Sequence, residues 1–271
     1  MNLSSTKTLR FTKASACGND FLIIAGTEAL GDLSILTRRL CDRHNGIGAD
    51  GVEWLFPDHE ADIMARLINA DGSAAEISGN GTRCVAAEIC SQSGKSTEVV
   101  IRTGAGMKTC RLIEDRRPHF EFEAAMGAAI VGEQVTITAE SLRVTGTKVA
   151  TGNPHFVVFV ESFPGYWQRQ ASVIQAQSQF PQGINVEYVM VRGPNQVEIR
   201  LFERGVGETM SSGTGSCAAA VAAIASGRVC SPVSVVAPGG PQIVRWENSP
   251  GQNQLYLRGP ATLICRGEFL V

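Results

Sequence analysis

The sequence lacks several features that would narrow its function at once. No apolar run approaches the ~20 residues that a membrane-spanning helix needs. The first twenty residues contain no apolar signal-peptide core, which predicts a cytoplasmic protein with reduced cysteines. Its 8 cysteines form no CxxC pair and no cluster with the 4 histidines, so a zinc site is not predicted. We therefore expect no membrane partner and no bound metal.

An excess of charge of one sign is also missing. Lys and Arg together number 24 and Asp and Glu 26, which gives a formal net charge of −2. Proteins that bind nucleic acid usually carry a basic patch or stripe, so we expect no nucleic-acid partner. Hydrophobic residues make up 44% of the 271 residues, which excludes a disordered chain and suffices for a sizeable core.

Five cysteines are predicted to be small core residues: Cys41, Cys90, Cys110, Cys230 and Cys265.

Glycine, in contrast, is abundant, and its positions indicate an internal duplication. The segments Ser78-Gly79-Asn80-Gly81 and Ser212-Gly213-Thr214-Gly215 lie 134 positions apart, and an apolar stretch follows each of them. The same offset, without a gap, relates four further pairs: Gly18-Asn19 with Gly152-Asn153, Gly51–Leu55 with Asn185–Val189, Arg66-Leu67 with Arg200-Leu201, and Gly106 with Gly240. Several independent matches in one register favour duplication over a chance similarity of two loops.

Each half is predicted to be one unit of the α+β class. Short runs rich in Val, Ile and Phe and bounded by Gly, Pro or Asn are typical of β-strands. They are Phe21–Ile24, Ile63–Ile68, Val99–Arg102, Phe156–Val160, Val186–Val191, Val197–Phe202, Val233–Val236 and Leu255–Leu257. One central helix is predicted in each half, at Thr82–Ser91 and at Ser216–Ser226. The second is apolar on all sides, which is typical of a buried helix.

These elements predict two pseudo-symmetric barrel-like domains, each a bent β-sheet around a central helix. The boundary is expected near residues 133–141, so that residues 1–132 form the N-terminal half and residues 133–271 the C-terminal half. The terminal strands can cross from one half to the other. Two related halves that meet face to face would leave a cleft on a pseudo-two-fold axis.

The two glycine-led helix starts suit an anion. A helix start leaves up to four backbone N–H groups without a partner and carries partial positive charge, which favours a carboxylate or phosphate. The N–H groups of Gly79-Asn80 and Gly213-Thr214 could together hold one such group. The alternative interpretation is that Ser78 and Ser212 are ordinary N-caps. Neither GxxxxGK[ST] nor a GxGxxG between strand and helix occurs, so a nucleotide enzyme is not predicted.

Seven segments, in this order along the chain, resemble the motif set of the diaminopimelate epimerase family. They are Gly18–Phe21, Arg43–Gly51, Asn69–Ser73, Gly79–Cys84, Gly152–His155, Asn185–Glu187 and Glu203–Thr209. The resemblance covers nearly the whole chain. It implies a pseudo-symmetric pair of domains, no cofactor and a homodimer. It also implies a small diamino-dicarboxylic acid substrate, because the family interconverts LL- and meso-diaminopimelate for lysine and peptidoglycan synthesis.

The chemistry of this family accounts for a duplicated scaffold. Inverting a stereocentre without a cofactor needs a base on one face of Cα and an acid on the other. The family places a cysteine at each of the two helix starts, where the pKa of a thiol is lowered. This sequence has Ser78 and Ser212 at those positions. A hydroxyl is a much weaker acid than a thiol and needs a neighbouring group to act as a base, so we expect weak activity.

The resemblance also implies the remaining site residues. It places His155 and Glu203 near the reacting centre, where they either assist the hydroxyls or orient the substrate. It assigns Asn69, Asn185 and Arg204 to the distal carboxylate and Glu203 to the distal ammonium group. The bidentate fork of an arginine suits a carboxylate. The other substrate-binding positions that it implies are Asn19, Gly79, Asn80, Asn153, Gly213 and Thr214.

Several alternatives stay open at this stage. The serines are natural and part of an altered acid–base pair, or natural in a protein that binds its ligand without catalysis, or introduced to trap the substrate. Cys17 is a candidate substitute thiol, and a buried core cysteine is the other interpretation. The alternative enzyme is a proton-shifting isomerase or dehydratase on the same fold, for which Glu76 and Glu208 are the nearby carboxylates.

Overall fold

The chain forms two compact units. The structure is a computed structural model that describes residues 8–29, 31–94, 97–139 and 142–271. One unit comprises the described residues up to Ala124 together with Gly259–Val271, and the other comprises Ala125–Arg258. Of the predicted boundary segment 133–141, residues 140 and 141 lie outside the described residues. No helix in the described ranges is long and apolar enough to cross a membrane.

Within the described residues, the first unit contains two α-helices and most of the strands of the N-terminal half. Its elements are β1 (Thr8–Ala16), β2 (Asn19–Ala25), α1 (Leu33–Cys41), β3 (Gly51–Phe56), β4 (Ile63–Asn69), β5 (Ala74–Ala75), α2 (Gly79–Ser93), β6 (Glu98–Thr103), β7 (Gly106–Arg116) and β8 (His119–Gly127), whose last residues extend into the second unit. A short 3₁₀ turn, Gly26–Glu28, follows β2.

The second unit repeats this order. Its elements are β9 (Ile130–Ala139), β10 (Leu142–Ala150), β11 (Pro154–Phe159), α3 (Trp167–Gln175), β12 (Asn185–Gly193), β13 (Gln196–Glu203), β14 (Gly207–Thr209), α4 (Gly213–Ala225), β15 (Val233–Ala237), β16 (Gly240–Ser249) and β17 (Gln252–Leu270), whose last residues belong to the first unit.

The strand register repeats with the offset that the sequence predicts. In the first unit β2 runs parallel to β3 with Phe21 opposite Gly51, and in the second β11 runs parallel to β12 with His155 opposite Asn185. His155 lies 134 positions after Phe21, and Asn185 lies 134 positions after Gly51. The antiparallel pairs β3–β4 and β6–β7 correspond in the same way to β12–β13 and β15–β16. The predicted duplication and the α+β fold are therefore confirmed.

Each unit wraps an apolar core around its long helix. In the first unit α2 packs with residues of β1, β2, β4 and β6–β8, and in the second α4 packs with residues of β10–β13 and β15–β17. The two predicted central helices are thus confirmed, but they begin at Gly79 and Gly213 rather than at Thr82 and Ser216. The glycines belong to the first helical turn because the serine before each of them caps the helix.

The terminal strands exchange partners between the two halves of the sequence. The first strand, β1, pairs with the end of β17, from Thr8 opposite Leu270 to Ser15 opposite Thr262. The equivalent strand of the second unit, β10, pairs with β9, which directly follows β8 of the N-terminal half. The sheet of the first unit is therefore completed by the end of β17, which follows the second unit in sequence. The sheet of the second unit is completed by β9, which follows the strands of the first unit.

The cysteines divide into buried and exposed ones. Cys41, Cys90 and Cys110 are buried, as predicted for small core residues. The same prediction is wrong for Cys230 and Cys265, which are exposed. Cys230 lies in the connection between α4 and β15, and Cys265 lies on β17 beyond its last buried residue, so neither position is covered by the cores.

Candidate active site

The helix start of the first unit is capped by Ser78 and open next to it. Ser78 has extended backbone angles (φ −124°, ψ 123°), and its Oγ accepts the N–H of Gly81 at 3.1 Å. The N–H groups of Gly79 and Asn80 lie in the first turn, where a helix offers no carbonyl to them. A Cβ placed on Gly79 would have no described atom within 4 Å. The backbone is therefore accessible to a ligand at the place where N–H groups are unsatisfied.

Two of the predicted binding residues meet at this helix start. The Asn80 amide donates to Asn19 Oδ1 at 2.7 Å, and the Asn19 amide donates to Asp50 Oδ2 at 3.1 Å. The buried guanidinium of Arg83, one turn further along α2, donates to Asn80 Oδ1 at 2.5 Å. This chain of hydrogen bonds fixes both asparagine side chains beside the open backbone.

The helix start of the second unit has the same cap and a narrower opening. Ser212 has extended angles (φ −145°, ψ 126°), and its Oγ accepts the N–H of Gly215 at 3.2 Å. A Cβ on Gly213 would lie 3.1 Å from Leu257 Cδ2 and 3.8 Å from Met126 Cε. The apolar side chains of Leu257 and Met126 thus border the backbone here, where the first unit has free space.

His155 is buried in the second unit, and oxygens face both of its ring nitrogens. Nδ1 lies 2.7 Å from Glu187 Oε1, and Nε2 lies 2.8 Å from Asn153 Oδ1. Both side chains of the His155–Glu187 pair are 1% exposed. Burial raises the pKa of Glu187, and the neighbouring His155 opposes that shift. The pair therefore fixes the imidazole and joins it to Asn153, one of the predicted binding residues.

The residues predicted to read the distal end of the substrate lie at the ends of strands. Asn185, at the start of β12, donates to the carbonyl of Pro154 at 3.0 Å and accepts the N–H of Arg204 at 2.9 Å. The exposed Arg204 guanidinium donates to the carbonyl of Gln182 at 2.7 Å. Its Nε and Nη2 have no partner among the described residues, which leaves donors for a carboxylate.

The other two residues of this group are Glu203 and Asn69. Glu203 Oε1 accepts the hydroxyl of Thr209 at 2.9 Å. Asn69 lies in the first unit at the end of β4, where its amide donates to Ser73 Oγ at 3.0 Å. Each is therefore held by a neighbouring hydroxyl within its own unit.

Two buried glutamates were missed by the sequence analysis. Glu53 on β3 and Glu187 on β12 are 3% and 1% exposed and occupy equivalent positions. Glu53 Oε1 fills the space that a Cβ on Gly81 would need, and Glu187 Oε1 lies 3.0 Å from the Cβ position of Gly215. Burial raises the pKa of Glu53 to about 8. The signal was present in the sequence, because the duplication register aligns two glutamates within otherwise apolar strand segments.

The residues of the alternative interpretations are two exposed glutamates and a buried cysteine. Glu76 and Glu208 are exposed, and Glu208 accepts the amide of Gln168 at 3.0 Å. Cys17 is buried, with its Sγ 3.5 Å from Arg83 Nη2.

Comparison with known proteins identifies relatives of the whole chain. The diaminopimelate epimerase family model matches residues 11–131 and 147–264. The chain is 38% identical to the diaminopimelate epimerase of Moorella thermoacetica, over 96% of this chain and 99% of that protein. Among solved structures, a PhzF-family phenazine biosynthesis protein of Bacillus anthracis superposes with a TM-score of 0.73 at 15% identity, over 98% of this chain and 100% of that one. A hydroxyproline epimerase from Agrobacterium vitis superposes with a TM-score of 0.69 at 18% identity, over 97% and 91% of the two chains.

Proposed function

Because the chain belongs to the diaminopimelate epimerase family, we propose that it interconverts LL- and meso-diaminopimelate by proton transfer at Cα. Family membership makes the chain an isomerase of the amino-acid epimerase type. The observation that carries the choice of reaction is the pair of equivalent helix starts, one in each unit, each capped by a serine and followed by Gly-x-Gly. This reaction needs two acid–base groups and no cofactor.

In this proposal the helix starts perform two tasks. The backbone N–H groups of Gly79-Asn80 and Gly213-Thr214 bind the α-carboxylate and stabilise the negative charge that develops at Cα. Ser78 and Ser212 exchange protons with Cα. General acid–base catalysis by positioned side chains contributes roughly 10²–10⁴-fold to a rate, and a hydroxyl loses much of that factor because its pKa lies far from neutral. The serine form should therefore be a slow epimerase.

The residues expected to bind the distal end of the substrate favour a substrate with two carboxylates. Arg204 keeps guanidinium donors free, and its backbone is fixed by Asn185. An arginine held in this way binds a carboxylate better than an uncharged side chain, which supports diaminopimelate over a monocarboxylic amino acid. On the same family grounds we propose a cytoplasmic homodimer.

The decisive experiment introduces a thiol at each of the two helix starts. Deuterium incorporation at Cα and epimerisation of LL-diaminopimelate are measured for the chain as given and for Ser78→Cys with Ser212→Cys. We expect weak activity as given and a gain of at least about a hundredfold in the double variant, since a thiol titrates much closer to neutral than a hydroxyl. Ser249→Cys, at an exposed serine, is the control and should gain nothing.

Other outcomes would identify another function. If the double cysteine variant binds diaminopimelate without any exchange at Cα, the site has diverged from epimerisation. Movement of the proton to another carbon would indicate an isomerase, and binding without exchange in every variant would indicate a binding protein. Fast turnover by the serine form would contradict the argument from hydroxyl acidity.

A further inference from the structure

The buried carboxyl of Glu53 occupies a place in the first unit where packing alone would favour an apolar residue. On β3 it stands opposite Leu67 of β4 and Ile23 of β2, and both of these belong to the core around α2. Glu53 is 3% exposed, and no hydrogen bond or ion pair reaches its carboxyl from the described residues. Burying such a group in its ionised form without a partner is strongly unfavourable, whereas the protonated carboxyl is buried more easily.

The second unit compensates the equivalent glutamate in a different way. Glu187 is paired with His155, whereas the position equivalent to His155 in the first unit is Phe21. The duplication has therefore produced two buried carboxyls behind two helix starts, one beside a base and the other in an apolar setting. Burial raises the pKa of both carboxyls, and only at Glu187 does a neighbouring histidine oppose that shift.

Glu53 also lies next to the serine of its own helix start. Its Oε1 occupies the Cβ space of Gly81, and Ser78 Cβ lies 3.3 Å from that same point. The Ser78 hydroxyl oxygen is engaged only by the N–H of Gly81 within the described part of the chain. The Glu53 carboxyl and the Ser78 side chain therefore approach the same point beside Gly81.

We propose that Glu53 is the proton store of the first unit and exchanges a proton with the hydroxyl of Ser78, an inference that rests on the proposed epimerase function. When the Ser78 O–H bond breaks to deliver a proton to the Cα carbanion, the O–H bond of the Glu53 carboxyl breaks as well. Its proton moves to Ser78 Oγ, and its electron pair stays on the carboxylate. In the opposite direction Ser78 Oγ takes the proton from Cα and returns its own to Glu53.

The other titratable groups near Glu53 are less suited to supply a proton to Ser78. On α2 these are Cys84, whose thiol is fully buried and has a raised pKa, and Arg83, which is engaged by Asn80 and by the carbonyl of Pro260. The neighbouring residues on β2 and β4 are the apolar Ile23 and Leu67. Burial alone raises the pKa of Glu53 to about 8, so the carboxyl is protonated at neutral pH. A carboxyl with that pKa donates a proton far more readily than a serine hydroxyl does.

The test uses the full chain and a double-mutant cycle. Glu53→Gln is introduced with Ser78 and again with Ser78→Cys, and deuterium incorporation at Cα is measured for each variant. We expect at least about a tenfold loss of kcat, without a change in KM, in the serine chain, and less than about a twofold loss beside the cysteine. The control is Glu88→Gln, which changes a buried glutamate on α2 that is bound by Thr12, Gln92 and Arg266.

The pH profile supplies a second readout. Because the protonated carboxyl is the donor, kcat of the serine chain should fall as the pH rises through about 8, and Glu53→Gln should lack this decrease. An equal loss of activity in the serine and cysteine chains would overturn the proposal, since it would indicate a structural role. A Glu53 carboxyl that is already ionised at pH 6 by infrared titration would overturn it as well.

These outcomes separate the inference from the proposed function. If the double cysteine variant exchanges the proton at Cα and the serine chain does not, the proposed function stands, but the role of Glu53 as proton store is contradicted. Absence of exchange in every variant, including the double cysteine form, removes the proposed function and the inference with it.

Discussion

At the scale of single residues, the buried glutamates Glu53 and Glu187 show how two equivalent positions acquire different chemistries. Glu187 has a basic partner in His155, while Oε2 of Glu187 has none among the described residues. Glu53 is surrounded by apolar side chains and the helix start. Strongly shifted pKa values concentrate at functional sites, and a matched pair next to two capping serines meets that description. The side chains that distinguish the units are thus Phe21 and His155.

The pH dependence of stability should reveal the protonated state of Glu53. Its pKa in the folded chain is about 8, above the usual value near 4.3 of an unfolded chain. Its contribution to stability is therefore complete at low pH and is lost as the pH rises from about 4.3 to 8. The unfolding free energy of the parent should fall relative to Glu53→Gln by up to about 1.4 kcal/mol per pH unit in that window. Urea denaturation between pH 5.5 and 8 measures this.

A matched substitution controls for the other carboxyls. Glu88→Gln removes a buried carboxyl that is hydrogen-bonded to Thr12, Gln92 and Arg266. Its stability should follow the parent across the same pH range. Parallel curves for the parent and Glu53→Gln would show that Glu53 is ionised in the folded chain.

At the scale of elements, the glycines of the helix start have separate tasks. Replacing either glycine by alanine should favour the helix by up to about 1 kcal/mol through propensity alone. Around Gly79 there is space for the methyl group, whereas at Gly81 Glu53 Oε1 occupies that space. We therefore expect Gly79→Ala to be neutral or stabilising and Gly81→Ala to lower the unfolding free energy by about 1–3 kcal/mol.

The cause of that loss can be checked with a second change. Glu53→Ala combined with Gly81→Ala should recover most of the stability, because it removes the atom with which the new methyl group collides. Chemical denaturation of the four chains gives the coupling free energy. Additive losses would place the strain elsewhere.

Strand and helix existence was predictable where a local pattern dominated. Seven of the eight apolar runs lie wholly within strands, and the eighth, Phe156–Val160, extends one residue beyond β11. Both central helices were found from their composition. The helices α1 and α3 were missed because each is short and buries one face only: α1 buries Leu36 and Leu40 while Ile35 is 57% exposed. Long strands such as β7 and β9, whose residues are mostly exposed, were also not predicted, because neither contains a long apolar run.

The site was predictable only in part for a related reason. The serines and glycines of the helix starts stand in contiguous motifs, so the sequence alone indicates them. Glu53 and Glu187 acquire their surroundings from strand pairing and from the depth of the core, which join residues far apart in the chain. A glutamate within a strand is usually solvent-exposed, so local pattern predicts the opposite of what the structure shows.

At the scale of the whole molecule, the last strand links sequence halves that local patterns keep separate. The strand β17 has 19 residues; its first part pairs with β16, and its end pairs with β1. The partner of its end, β1, lies at the opposite end of the sequence. The N-terminal half of the chain therefore lacks one strand of its sheet until the C-terminus has been made.

This arrangement predicts what happens when the C-terminal residues 262–271 are removed. Those residues supply every pairing that β1 makes with β17, from Thr262 to Leu270, and they include Leu263 and Phe269, which pack against the cores of the first unit. We expect hydrogen–deuterium exchange of β1 amides to accelerate by at least about a hundredfold, while α4, in the core of the second unit, keeps its protection. Removing Val271 alone is the control, because it lies beyond the last pair. Unchanged protection of β1 would show that its pairing with β2 suffices to hold it, and uniform loss in both units would show that they unfold as one.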